Sequence, residues 1–343
     1  MHIAIIGAGG MIGRKLAARL AADGTLAGRA VGRLTLVDIV APPSPSGSVP
    51  GSVPGSVPGS VPESVTVQAW ADDLAEPGTA ERIAAARPDM VYHLAAIVSG
   101  EAEADFDRGY RINLDGTRLL FEAIRQEGLR VPYVPRVVFT SSVAVFGAPL
   151  PDVIPDDLAL APLTSYGTQK AVGELLLADY SRRGFLDGIG LRLPTICIRP
   201  GAPNRAASGF FSSILREPLV GRPAVLPVPD TVRHWFASPR AAIEMLLHAA
   251  GLDTAVLGAR RTLSLPGLSA TVAEQIEALR RVAGDAAVAL IRREPDATIL
   301  GIVGGWARAF DPQRAIALGF HAESSFDEII RVHIEDELDG RHP

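Results

Sequence analysis

The sequence predicts an α/β protein: a doubly wound parallel sheet with a smaller C-terminal domain. Three observations carry this expectation. The chain opens on a short apolar run, His2-Ile3-Ala4-Ile5-Ile6, that passes straight into a glycine-rich turn. Through the first half, further apolar runs alternate with amphipathic stretches, the mark of parallel strands joined by crossover helices. A length of 343 residues, 48% apolar and 21% charged, is enough for a large core and allows two domains.

The opening run has the unbroken hydrophobicity of a strand buried on both faces. Behind it come Gly7-Ala8-Gly9-Gly10-Met11-Ile12-Gly13 and a helix with Ile12, Leu16 and Leu20 on one stripe. Glycines at 7, 10 and 13 serve a tight turn, the close approach of backbone to a pyrophosphate, and close packing of helix on strand. A phosphate there meets a helix N-terminus whose free N–H groups and dipole favour an anion. Gly7, Gly10, Met11, Ile12 and Gly13 are therefore expected to hold a dinucleotide on a Rossmann-type sheet. The next strand, Leu34-Thr35-Leu36-Val37-Asp38, ends in an acid 25 residues beyond Gly13, near the usual offset. The Asp38 carboxylate can accept both hydroxyls of an adenosine ribose and repels a 2′-phosphate, so NAD is favoured over NADP.

Later strands are Met90-Val91-Tyr92-His93, Val137-Val138-Phe139-Thr140 and Gly190-Leu191-Arg192-Leu193, with His93 read as a strand-end packing residue. Proline-rich breaks near 149–162 and 194–203 mark loops over the carboxyl edge, where such sheets bind ligands. Ser238-Pro239 has the form of a capped helix start, and that helix is expected to pack back on the nucleotide domain. The nucleotide domain is thus expected over 1–194 plus about 238–259, and the smaller, substrate-binding domain over about 195–237 plus 260–343. Between the second and third strands, 47–62 is Gly-Ser-Val-Pro four times over, read as a low-complexity surface loop at 44–63 that can sustain neither ladder nor helix.

The net charge of −5 argues against a nucleic-acid surface. The single Cys197 excludes an internal disulfide or a multi-cysteine metal site and fits a reducing compartment, so no metal is expected. The first strand leaves no room for a leader, and no apolar run reaches about 18 residues. A cytoplasmic protein away from the membrane is the expectation.

The chemistry is carried by Tyr166 and Lys170, four residues apart, with Thr140-Ser141-Ser142 at the end of an apolar strand 24 residues before the tyrosine. On a helix, i and i+4 share a face, so phenol and ammonium can point at one reacting centre. A free tyrosine, with a pKa of about 10, is a poor base near neutrality. A fixed positive charge lowers that value, and a serine hydroxyl can hold the substrate oxygen while its proton leaves. Ser142 is assigned this role, with Ser141 as the fallback.

Taken in order, Gly7-x-x-Gly10-x-x-Gly13, Asp38, Asp73-Leu74, His93-Leu94-Ala95-Ala96, Asn113 in Asn113-Leu114-Asp115-Gly116-Thr117, Ser142, Tyr166 and Lys170 resemble the extended short-chain dehydrogenase/reductase family across nearly the whole chain. The resemblance implies that Asp73 and Leu74 meet the adenine, that Ala95 and Ala96 line the cofactor, and that Asn113 supports the active-site water and helix geometry. It also implies a homodimer through the Tyr166 helix and the helix after Asn113.

Nucleotide-sugar members carry Arg-x-x-Asn after the sixth strand; here Arg192-Leu193-Pro194-Thr195 puts Thr195 in place of the Asn. The chain continues Ile196-Cys197-Ile198-Arg199-Pro200-Gly201-Ala202-Pro203-Asn204, and later has Arg233-His234-Trp235-Phe236-Ala237-Ser238-Pro239-Arg240, Gly304-Gly305-Trp306 and Ala315-Ile316-Ala317-Leu318-Gly319-Phe320. These segments look like the D-erythronate dehydrogenase branch, which implies NAD-dependent oxidation of a short sugar acid at C2 to the 2-keto acid. An acid needs a carboxylate anchor, and an arginine supplies a two-pronged one. Arg192, Arg199 and Arg233 are candidates, with Arg233 preferred, and Ser99 and Thr195 are expected to contact substrate. Two other readings stay open: an epimerase or dehydratase that retains its NAD, and an NAD-binding regulator without turnover.

Overall fold

The computed structural model describes residues 1–45, 65–201 and 207–341. The Gly-Ser-Val-Pro repeat at 47–62 lies outside the described residues, as do Ala202, Pro203 and Asn204. A seven-stranded parallel sheet forms the larger part. Its strands, numbered along the chain, are β1 (His2–Ile6), β2 (Arg33–Asp38), β3 (Thr66–Ala71), β4 (Met90–His93), β5 (Arg136–Ser142), β6 (Asp187–Leu193) and β7 (Thr262–Ser264). In space they run β7-β6-β5-β4-β1-β2-β3, and the direction of winding reverses between β1 and β4. Ligands bind outside the carboxyl ends of strands at such a reversal.

Burial follows the sequence pattern. In β1 every residue after His2 is buried, and all four of β4 are, as sheets covered on both faces require. Helix α1 (Met11–Asp23) buries Gly13, Leu16, Ala17, Leu20 and Ala21 on one stripe and ends at Gly24, whose left-handed backbone returns its N–H to the Leu20 carbonyl. Helices α2 (Thr79–Ala85), α3 (Gly116–Arg130) and α4 (Ser165–Arg182) complete the crossovers. Helix α5 (Pro239–Gly251) starts at Ser238, whose hydroxyl accepts the Ala241 N–H at 3.0 Å. It lays Ile243, Met245, Leu246 and Ala249 into the core of the main sheet, and the Tyr92 hydroxyl donates to the Leu246 carbonyl.

The smaller body has its own core, in which Phe211, Ile214, Leu215 and Phe236 pack with Leu279, Ile329 and Ile330. Strand 233–237 pairs there with Thr195–Ile196 in parallel and with Leu268–Thr271 antiparallel. Two stretches cross the boundary that the sequence suggests. The seventh strand, β7, falls inside 260–343 yet pairs with β6 in the main sheet, and Ala315 and Phe320 join the core of that sheet. Three residues of strand are too few for periodicity to register, and their partners lie 72 residues back in the chain. Among the described residues no helix is long and apolar enough to cross a membrane, and no cluster could hold a metal ion.

One buried ion pair joins four elements. Glu174 on α4 accepts three bonds from Arg192 on β6, at 2.9 and 3.2 Å from Nε and 2.7 Å from Nη2, and a fourth from the Ser141 hydroxyl at the end of β5, at 2.5 Å. Arg192 also donates to Ser264 on β7 and covers the Phe146 ring. The two charged side chains keep only 10% and 5% of their surface exposed. Removing one partner strands a buried charge, so Glu174→Gln or Arg192→Met alone is expected to cost about 3–5 kcal/mol. The double change Glu174→Gln/Arg192→Met is expected to cost less than the sum of the two single changes, though Lys170 loses its balancing charge in it as well, measured by denaturant unfolding. Losses that simply add in the double variant would show that the two charges do not act as a pair.

Candidate active site

The glycine-rich turn is built as a dinucleotide cradle. Gly7 has a positive φ of 89°, and a Cβ there would lie 2.6 Å from the Ala95 backbone nitrogen; at Gly13 it would lie 2.2 Å from the Gly7 carbonyl oxygen. Gly10 is different. It is exposed, with nothing closer to its Cβ position than 3.4 Å, so the space before it is free for a ligand. Gly10 caps α1 without a side chain, no acid stands in the first turn, and the first helical bond is Arg14 N–H to Gly10. The N–H groups of Met11, Ile12 and Gly13 precede that bond and are the orphan donors that an anion can take.

Asp38 closes the turn. One carboxylate oxygen accepts the Gly9 N–H at 2.8 Å and the other accepts the Ile39 N–H at 2.8 Å, which holds the half-buried group beside the cradle with lone pairs to spare for a ribose diol. Asp73 accepts from Ala75 N–H and from Arg111 at 2.8 Å, and Leu74 packs on Gly116 at the start of α3. Ala95, Ala96 and Ser99 lie in a half-buried stretch that leaves β4 against Gly7. Apart from Ser99, a substrate candidate, these residues have the chemistry that the adenosine and pyrophosphate of a dinucleotide would need.

Ser142, Tyr166 and Lys170 gather at the carboxyl edge of β5, beside the end of β6. Thr164 caps α4 by accepting the Gly167 N–H at 3.0 Å, which starts the helix just before Tyr166. Lys170, one turn on, is 2% exposed and donates to the Thr140 carbonyl at 2.8 Å, with its ammonium over the Phe139 ring. Burial pulls its pKa down to about 8, against the upward pull of Glu174. Ser142, half-buried, ends β5 beside Leu193, and its oxygen accepts the Ala144 N–H. Ser141 is committed to Glu174, whereas the Ser142 hydroxyl makes only local bonds near Ala144 and Tyr166.

Three expectations are revised by this geometry. The ammonium sits 5.8 Å from the centre of the Tyr166 ring and does not depress the phenol in the unliganded chain; burial raises its pKa, and the neighbouring Ser142 hydroxyl draws it only part of the way back. The side chain of Asn113 is buried and bonds to protein partners. Its oxygen accepts the Ile97 N–H at 2.9 Å and its nitrogen donates to the Ile97 carbonyl and to Gln169, at 3.2 and 2.7 Å, so it ties the 95–99 stretch to α4 from a π-helical turn, Tyr110–Asp115. Arg192 is spent on Glu174 and is no carboxylate anchor.

The remaining substrate candidates are more scattered. Thr195 stands two residues beyond Leu193 and bonds His234 at 2.6 Å. Arg199 donates to the Ser208 hydroxyl at 2.6 Å and has no carboxylate partner among the described residues. Arg233 opens its strand away from Thr195 and already meets Ser269 and, at 3.3 Å, Glu274. His93 is packing, between Phe121 and Phe139, with one ring nitrogen on Thr117. Sequence reasoning missed Gln169, Glu174 and His234. Only Glu174 carried a signal, as the next i+4 step on the Tyr166-Lys170 face. A cleft of about 730 Å³ lies at the opposite, amino edge of the sheet, lined by Met1, Arg29, Asp89 and Arg136, away from this chemistry.

Comparison with known proteins agrees with the geometry. The pattern of the NAD dependent epimerase/dehydratase family matches residues 3–236. A D-erythronate dehydrogenase of Cupriavidus necator is 48% identical over 98% of this chain and 98% of its own length. One of Haemophilus influenzae is 40% identical over 98% and 100%. A solved structure described as a nucleoside-diphosphate-sugar epimerase of Agrobacterium tumefaciens is 63% identical, with a TM-score of 0.92 over 99% of this chain and 95% of its own. The chain belongs to the NAD dependent epimerase/dehydratase family, within the extended short-chain dehydrogenase/reductases, and its dinucleotide is NAD.

Proposed function

We propose that the chain is a cytoplasmic NAD-dependent dehydrogenase that oxidises the C2 hydroxyl of a short sugar acid, D-erythronate or a near relative, to the 2-keto acid. The observation that carries it is the buried Lys170 beside Tyr166 and Ser142 at the sheet's carboxyl edge. Two D-erythronate dehydrogenases alike over the full length, and Thr195 where nucleotide-sugar enzymes place an Asn, support an acid over a nucleotide sugar.

NAD, when bound, would supply the hydride acceptor. Ser142 holds the substrate oxygen, and Tyr166 takes its proton as the carbon–oxygen bond becomes double. Lys170 stabilises the phenolate and is placed to hold the nicotinamide ribose. Asp38 holds the adenosine ribose. Arg233 is the anchor of the carboxylate in this reading; Arg199 is the second candidate, favoured because it has no acidic partner among the described residues. The same reading carries a homodimer through α3 and α4, on which Leu129 and Leu175 are each 66% exposed.

Tyr166→Phe keeps the ring and removes the ionisable oxygen, so turnover is expected to fall by about 10²–10⁴ with NAD affinity retained. A variant keeping a tenth of the wild-type rate excludes Tyr166 as the base. Asp38→Ala is expected to lower kcat/KM with NAD and raise it with NADP, because one carboxylate both binds the diol and repels the phosphate. A wild type that already prefers NADP contradicts this role. Arg233→Lys keeps the charge but loses the planar fork, and is expected to raise KM for the acid by about one to two decades while barely changing the matching alditol. Equal losses on acid and alditol mean that Arg233 is structural, and the same pair of substrates on Arg199→Lys then tests the second candidate.

A further inference from the structure

The bond between Thr195 and His234 fixes where a proton points. Thr195 opens the short strand Thr195–Ile196 just beyond Leu193, the register partner of Ser142, and is half-buried at that edge. Its hydroxyl lies 2.6 Å from Nε2 of His234, and Nδ1 of the same ring lies 2.9 Å from the Ala307 carbonyl. A carbonyl only accepts, so Nδ1 carries the proton, and a neutral ring then offers a lone pair at Nε2. The ring is neutral: burial holds its pKa down, to about 4, despite the Ala307 carbonyl. Thr195 therefore donates to His234. Packing keeps the ring in place, stacked on Phe211 at 5.6 Å and tilted on Trp306 at 5.1 Å.

A hydroxyl with its proton committed has only lone pairs left. It welcomes an O–H donor and opposes a carboxylate or phosphate oxygen. An Asn amide at the same place would offer N–H donors as well, so the change to Thr195 alters the polarity of the subsite as well as its size. We propose that His234 is a positioning residue that makes Thr195 a hydrogen-bond acceptor for a hydroxyl on a non-reacting carbon of the substrate. The subsite then selects a polyhydroxylated chain over a deoxygenated one and rejects a second anionic group. This inference rests on the sugar-acid reading and adds to it the polarity of one subsite.

The test is steady-state kinetics with a tetronic acid and its 3-deoxy and 4-deoxy counterparts. Wild type is expected to disfavour one deoxy acid by about tenfold in kcat/KM. Thr195→Val is expected to erase that discrimination, with the loss on the full acid carried in KM, whereas Thr195→Ser retains it. His234→Phe is expected to erase it too, and His234→Gln, whose amide can donate to Ala307 and accept from Thr195, to restore it. Discrimination that survives Thr195→Val overturns the inference, and this holds even if His234→Phe fails to fold. Wild type that oxidises the acid but treats all three alike overturns the inference alone. Wild type that oxidises none of them overturns the sugar-acid reading and the inference with it.

Discussion

A lysine ammonium kept at 2% exposure is the constraint from which much of this structure follows. Taking such a charge out of water is costly unless it is bonded and balanced. The Thr140 carbonyl supplies the bond, the Phe139 ring a cation–π face, and Glu174 one turn further along α4 the balancing charge. Glu174 is a buried charge in its own right and draws in Arg192, Ser141 and, through Arg192, Ser264. The need to bury one cation thus ties α4 to β5, β6 and β7, and it takes up Ser141 but not Ser142.

The same network explains what the sequence makes legible and what it does not. Strands β1, β2 and β4 read clearly because they are buried on both faces, and the glycines at 7 and 13 because the backbone of Ala95 and of Gly7 leaves no room for a side chain. Tyr166 and Lys170 read as a pair because helical periodicity is local. Glu174 continues that period, but its meaning depends on Arg192, which arrives from another strand. No local pattern announces β7, whose three residues owe their place to Gly190, Leu191 and Arg192. The arginines show the limit most plainly: a sequence places Arg192, Arg199 and Arg233 in neighbouring segments, yet only tertiary contacts separate one locked to Glu174 from one that donates to the Ser208 hydroxyl.

The state of Tyr166 was the least accessible from sequence. Spacing suggests a phenol acidified by its lysine, whereas the folded chain without ligand holds a phenol whose burial outweighs that help.

The central claim is that this buried set oxidises a short sugar acid with net transfer to NAD. The direct measurement is NADH formation at 340 nm across four- and five-carbon aldonates, set beside conversion of UDP-sugars by the same preparation. The account predicts stoichiometric NADH with an aldonate, D-erythronate foremost, and no turnover of the nucleotide sugars. Interconversion of a UDP-sugar with tightly held NAD and no net NADH would contradict it.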